Sequence, residues 1–335
     1  MTSAILFSFL PRNMGSEIHN IICAADVPTL LEKEALFVAS HPGYDVSVKR
    51  YFLSSIEQKE RIKPASGHES YVIQPVLGED KVAVWIMLIR DCPVELVWHT
   101  NLYSNAEGPE AQTADILNSY EADLAASGLD ISEHCVRTWF FVDDIDNNYS
   151  GVVKARRDNF ESLGMTKYTH YLASTGIGGG SVYKGACVQM DALAIKGDFS
   201  QRYLYAPENF NPTHEYGVTF ERGVAVDYGG ASHVLISGTA SINNRGEIVH
   251  PGDVRSQTLR MLENVEALLS EAGIGWKDVQ MMVVYLRNAD DYAAVSPVFR
   301  NRFDATSIPY VITHASVCRP GWLIEMECIG LGIVG

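Results

Sequence analysis

The sequence predicts an α+β fold made of two tandem copies of one unit, a mixed β-sheet covered on one face by two helices. Two observations carry this. A chain of 335 residues is too long for one ordinary core and suits two domains. The chain also repeats itself: Val136 to Phe160 overlays Val279 to Phe303 without a gap, at a constant offset of 143 positions. Val136/Val279, Tyr149/Tyr292, Val152/Val295, Arg157/Arg300 and Phe160/Phe303 are identical pairs inside a shared apolar pattern.

Each copy reads as strand, turn and helix. A β-branched and aromatic run (Val136 to Val142; Val279 to Leu286) is followed by an Asp/Asn cluster, in which Asp146, Asn147 and Asp290 are candidate caps for the next helix. In the second copy, Val254, Met261, Leu262, Val265, Leu268 and Leu269 fall on one helical face, opened by Asp253 and closed by Gly273. Strands are expected at His233 to Ala240, Tyr310 to Val317 and Leu323 to Ile333. The first copy is expected from about His68 to Gly197, with strands at Tyr71 to Val76, Val82 to Leu88 and Leu96 to Asn101 and a helix at Ala111 to Ala126. Residues 1–67 are assigned only as an extension, giving domains 1–199 and 200–335. One face of each sheet is left for a second copy or another subunit to cover.

Composition narrows the function. With 47% hydrophobic and 20% charged residues the chain is globular, and its formal net charge of −15 argues against a nucleic-acid partner, which needs a basic stripe. The densest basic stretch, Lys154, Arg156 and Arg157, lies among Asp143, Asp144, Asp146 and Asp158 and reads as helix pairing. Six cysteines lack the spacing of a disulfide framework or zinc site, so no metal is expected. The run Ala4 to Leu10 lacks a basic leader and nothing reaches membrane-spanning length, which points to a cytoplasmic protein with no membrane partner.

Candidate chemistry gathers near the C-terminus. Alternation along the last strand puts Glu325 and Glu327 on one face. Buried, one of the two would have a raised pKa and serve as a general acid; on an edge strand both would be solvated. Overlaying Met190-Asp191 on Met326-Glu327 puts Gln189 opposite Glu325, so the first copy lacks that acid. Cys318 is a candidate nucleophile with Arg319 beside it, and equally a small lining residue, the commoner role. His314 is four strand positions away, too far for a convincing dyad. Thr175-Gly176-Ile177-Gly178-Gly179-Gly180 lacks the context of a dinucleotide loop and reads as a flexible turn.

Ser237-Gly238-Thr239-Ala240, the Asp253 to Gly273 helix, Val284-Tyr285-Leu286 and Leu323-Ile324-Glu325-Met326-Glu327 resemble the YjgF/RidA superfamily. That resemblance implies YjgF/RidA-like (chorismate-mutase-like) domains, a homotrimer and ligand sites in clefts between subunits. Simple deaminases of the superfamily carry an arginine after the proline that opens the penultimate strand, whereas Pro309-Tyr310-Val311-Ile312-Thr313 has none. The wider pattern resembles the chorismatases, through Val136-Arg137-Thr138-Trp139, Tyr216-Gly217 with Thr219 to Gly223, Ser237 to Ser241, and Val317-Cys318-Arg319 leading to Glu325. It implies an enzyme, without a cofactor, that removes the enolpyruvyl group of chorismate. Glu325 would be the proton donor; Arg222, Tyr205, Tyr216 and Arg319 would bind the substrate; Ala240 and Cys318 would shape the pocket. A RidA-like enamine/imine deaminase and a non-catalytic metabolite-binding protein are the alternatives.

Overall fold

The computed structural model describes residues 17–64, 67–306 and 308–333, and among them the strand–helix–strand–helix–strand–strand unit occurs three times. The run Ala4 to Leu10 lies outside the described residues. The first unit comprises β1 (Glu17–Ala24), α1 (Val27–Ala39), β2 (Asp45–Leu53), α2 (Ile56–Glu60), β3 (His68–Ile73) and β4 (Val82–Ile89). The second comprises β5 (Glu95–Tyr103), α3 (Gly108–Ala126), the single turn α4 (Ile131–His134), β6 (Cys135–Val142), α5 (Ile145–Ser162), β7 (Ala173–Gly178) and β8 (Val188–Lys196). In the third, β9 (Ser200–Leu204) and β10 (Gly223–Tyr228) precede β11 (Ala231–Ala240), α6 (Val254–Glu271), β12 (Val279–Leu286), α7 (Tyr292–Phe303), β13 (Tyr310–His314) and β14 (Ile324–Ile333).

All three sheets share one topology. The order is first, last, second, third: β1-β4-β2-β3, β5-β8-β6-β7 and β11-β14-β12-β13, the last extended by β10 and β9 at its β11 edge. The second and third strands are parallel, as their helical crossover requires, and the last strand runs antiparallel to both its neighbours. Being central, β4, β8 and β14 are buried on both faces, which suits their near-continuous apolar runs.

The registers make the units comparable residue by residue. Trp85, Asp191 and Glu327 occupy one position, opposite Arg50, Trp139 and Val283; Ala83, Gln189 and Glu325 occupy the next on that face, opposite Phe52, Phe141 and Tyr285. The strands of the second and third units therefore superpose with an offset of 144 (Trp139 on Val283), while the helices keep 143, with buried Val152 on Val295 and Phe160 on Phe303. The gapless overlay thus slips by one residue in the strand, and such a slip reverses every side chain. The extra residue lies in the turn before α5, where Asp144 takes a left-handed φ of 44°. Asp144 and Asp291, not the expected residues, stand at the caps of α5 and α7, and neither caps through its side chain. Asp253 does cap α6, accepting from the Ser256 N–H at 3.0 Å.

The strands expected near residues 71–76 and 82–88 exist, but they belong to a separate sheet completed by β1 and β2 from the segment that was read only as an extension. Helices cover the outer face of each sheet, and the inner faces cover one another. Trp85, Trp98 and Trp139 meet there, with ring centroids 5.8–6.4 Å apart. The rim is stitched in a ring: Ile73 bridges Gly180, Ile177 bridges Val317, and Thr313 bridges Val76. At Gly178 a Cβ would lie 2.8 Å from the Ser316 backbone, so only glycine permits this approach. Polar seams accompany the ring: Arg50 with Asp191, Arg137 with Glu327, and His233 with Glu17.

Candidate functional site

A cavity of about 290 Å³ opens between the second and third sheets. From the second unit, Tyr149 and Arg156 of α5 and Ser174 and Gly176 of β7 face it; from the third, Ala240 of β11 and Glu325 of β14. Arg222, Cys318 and Arg319 complete the polar lining, on the segments before β10 and after β13.

Glu325 and Glu327 share a face and are both buried, but their surroundings differ. Glu327 accepts from Arg137 Nη2 at 2.7 Å, Thr175 Oγ1 at 2.5 Å, Tyr285 OH at 2.9 Å and Trp139 Nε1 at 3.0 Å. Donors from two sheets thus hold its charge. Among the described residues no donor hydrogen-bonds the Glu325 carboxyl. Burial, and then the charge of Glu327, push its pKa up to about 8 against the pull of Arg222 and Arg137. Burial thus favours the protonated form of this carboxyl, which faces the cavity. The solvated-edge alternative does not apply, because β14 is central.

Its carboxyl rests where β11 has no side chain. A Cβ on Gly238 would lie 2.0 Å from Glu325 Oε1. Position 238 sits in a bulge, since the β11–β14 register shifts between Ile236 and Thr239.

Three arginines, Arg156, Arg222 and Arg319, bring positive charge to this acidic chain's cavity. Arg222 is buried, stacked 4.7 Å from the centre of the Phe210 ring. Arg156 is 1% exposed; it donates to Thr219 Oγ1 at 3.3 Å and Ser174 Oγ at 3.4 Å, and its buried Nη2 has no hydrogen-bond partner among the described residues. Sequence reasoning grouped Arg156 with Lys154 and Arg157. Lys154 does pair with Asp158 at 3.4 Å on the surface, but Arg156 turns inward. Its spacing from buried Val152 and Phe160, and its overlay on core Phe299, were the available signals.

The other expected residues divide. Ala240, Cys318 and Arg319 line the cavity. Burial first, then the charge of Glu325, push the Cys318 thiol up to about 12, so at neutral pH it is an inert lining group. Tyr205 is 49% exposed and outside the cavity lining, with its backbone N–H donating to Glu271. Tyr216 ends a short 3₁₀ turn, Thr213–Tyr216, and its side chain lies outside what the structure describes. His314 is exposed and bonds the Arg287 carbonyl at 3.1 Å, so no dyad with Cys318 forms. The glycine-rich run is not a flexible turn: residues up to Gly178 form β7, where Gly176 lets the Tyr149 ring pack against the strand.

Comparison with known proteins agrees with this architecture. The family model described as endoribonuclease L-PSP matches residues 224–331. A RutC family protein of Pyrococcus abyssi is 36% identical over 97 residues, 29% of this chain and 76% of the relative. The 3-aminoacrylate deaminase RutC of Acinetobacter baylyi is 30% identical over 96 residues, again 29% and 76%. Over nearly the whole length the fold is that of a crystal structure of a chorismatase, with a TM-score of 0.69, 18% identity, and coverage of 95% of this chain and 99% of that one. No helix among the described residues is long and apolar enough to cross a membrane, and the six cysteines are free thiols. Through its third unit, the chain belongs to the RutC family, within the YjgF/RidA superfamily that its motifs led one to expect.

Proposed function

We propose that the protein is a chorismatase: it protonates the enolpyruvyl ether of chorismate and releases pyruvate. The observation that carries this reading is the buried carboxyl of Glu325 facing an arginine-lined cavity, where burial favours its protonated form. An enol ether resists water until its terminal methylene takes a proton, and a desolvated carboxylic acid supplies one. The oxocarbenium ion is then captured by water or by the ring hydroxyl, and pyruvate leaves in either case. The product is a dihydroxycyclohexadiene carboxylate or a hydroxybenzoate. Chorismate carries two carboxylates, and Arg156 and Arg222, with Arg319 nearby, supply guanidinium donors for them.

On this reading both halves of the chain build the site: residues 200–335 supply the acid, and the diverged 1–199 supply Arg156 and one wall. The cleft that the superfamily resemblance sets between subunits would lie between two sheets of one chain. The trimer expectation rested on the superfamily resemblance and on an uncovered sheet face; here the three inner faces cover each other, and we infer a monomer. Free thiols fit a reducing, cytoplasmic setting.

Enamine or imine hydrolysis is the competing activity, favoured by the RutC relatives and weakened by Tyr310 to His314, which lacks an arginine. The deciding experiment is incubation with chorismate, scoring pyruvate and identifying the ring product. Parent protein should release pyruvate, and Glu325→Gln should release it at least on the order of a hundredfold more slowly while remaining folded. No pyruvate from the parent, or parent rate from Glu325→Gln, would overturn the reading.

A further inference from the structure

Gly238 and Ser237, which form the bulge beneath Glu325, are both held from the neighbouring sheet. The Gly238 N–H donates to Thr175 Oγ1 at 2.9 Å, and the Ser174 N–H donates to Ser237 Oγ at 2.9 Å. Ser237 Oγ in turn donates to the Glu221 carbonyl at 2.6 Å. Strand β7 of the second unit therefore fixes the displaced backbone of β11 in the third.

The Thr175 hydroxyl is fully used. It donates to Glu327 Oε2 at 2.5 Å and accepts from Arg137 Nη2 at 2.6 Å as well as from Gly238. Thr175 is wholly buried. One hydroxyl thus links the Glu327 carboxylate to the backbone that makes room for Glu325.

The second unit shows the arrangement without that link. By register Asn101 corresponds to Gly238, Asp191 to Glu327 and Ser70 to Thr175. There the bulge N–H of Asn101 donates directly to Asp191 Oδ1 at 2.9 Å, and Ser70 Oγ reaches only Asp191 Oδ2, at 2.5 Å. The Asn101 side chain receives Gln189 Nε2 at 3.3 Å. A hydroxyl inserted between bulge and carboxylate therefore accompanies the one cleft of the two that holds an acid.

We propose that Thr175 is a positioning residue for Glu325: through Gly238 it sets where the carboxyl sits, and through Glu327 it sets which of the two carboxylates holds the proton. This rests on Glu325 being the acid of the proposed reaction. The charged and titratable groups around Glu325 are Glu327 of β14, Arg137 of β6, Tyr149 and Arg156 of α5, Arg222 before β10, and Cys318 and Arg319 after β13. Removing the Thr175 hydroxyl takes a donor from Glu327, so Glu327 competes better for the proton and Glu325 ionises at lower pH.

The test compares Thr175→Val and Thr175→Ser in the full chain. Thr175→Val should lower kcat for pyruvate release by about tenfold to a hundredfold, with KM within about twofold, and should move the alkaline limb of the pH–kcat profile downward. Thr175→Ser should keep the parent kcat and profile. A parent profile in Thr175→Val, or equal impairment in both variants, overturns the proposal; if Thr175→Val does not fold, impairment of Thr175→Ser alone overturns it. An infrared titration of the Glu325 carboxylic C=O band, identified by its loss in Glu325→Gln, is independent of turnover. If the parent releases no pyruvate, the reaction assignment fails, while an unshifted band midpoint in Thr175→Val, or a shifted one in Thr175→Ser, is what would sink the role of Thr175.

Discussion

The Cβ that Gly238 lacks would lie 2.0 Å from Oε1 of Glu325, so the carboxyl fills space that any side chain on the adjacent strand would claim. Gly238→Ala must displace the end of a flexible side chain, not the backbone. It should lower pyruvate release by on the order of a hundredfold while shifting the melting temperature only slightly. Parent kcat in this variant would show that the carboxyl position is not critical.

Proton donation by Glu325 fixes the sign of the pH dependence. The donor is present below its pKa of about 8, so kcat should fall as pH rises through that value. The same group affects stability. Its folded pKa is raised above the ordinary 4.5, so its stabilising contribution is full below about 4.5 and is lost progressively as pH rises toward about 8. Glu325→Gln should flatten that part of the stability profile, measured by urea unfolding at a series of pH values.

Glu327→Gln is expected to act mainly on folding. The substitution leaves the buried Arg137 guanidinium without its carboxylate, and Arg50 Nη1, 3.9 Å away, loses its nearby charge. Losing one partner of such a pair costs about 3–5 kcal/mol. The urea midpoint should fall accordingly, and a variant as stable as the parent would contradict the seam described above.

Arg156 and Arg222 should separate binding from stability. Arg156 carries a buried, unpartnered Nη2, so Arg156→Met should leave the melting temperature unchanged or higher while weakening kcat/KM at least tenfold. Arg222→Lys should raise KM, because a point charge does not reproduce a guanidinium fork. Unchanged kinetics in either variant removes that residue from the substrate site.

A monomer is expected at micromolar concentration by light scattering, since the inner sheet faces are covered within the chain. A trimer mass would require an interface on the outer surface.

Much of the acid site was legible because it follows from local rules. Period-two alternation put Glu325 and Glu327 on one face, and overlaying two methionines put Gln189 opposite Glu325. What Glu327 does was not legible, because Arg137 and Thr175 are 190 and 152 positions away in sequence and on another sheet. Alternation shows Glu327 only as a second carboxylate beside Glu325; the four donors around it make it structural. The first sheet was missed because its identities with the second are few and scattered, such as Phe52/Phe141 and Ile56/Ile145, at an offset of 89 that differs from the 143 of the other pair. The glycines of β7 were misread because glycine in a strand more often marks a turn than the close approach of a ring or a backbone.

Joining three like sheets in one chain has a genetic consequence. In an assembly of identical subunits every substitution appears at every cleft, so a glycine that admits an acid at one must admit it at all. Here each cleft is encoded separately, and position 238 can be glycine while its counterpart at 101 is asparagine. A single codon change therefore alters one wall of one cavity, leaving the others free to serve purely as packing.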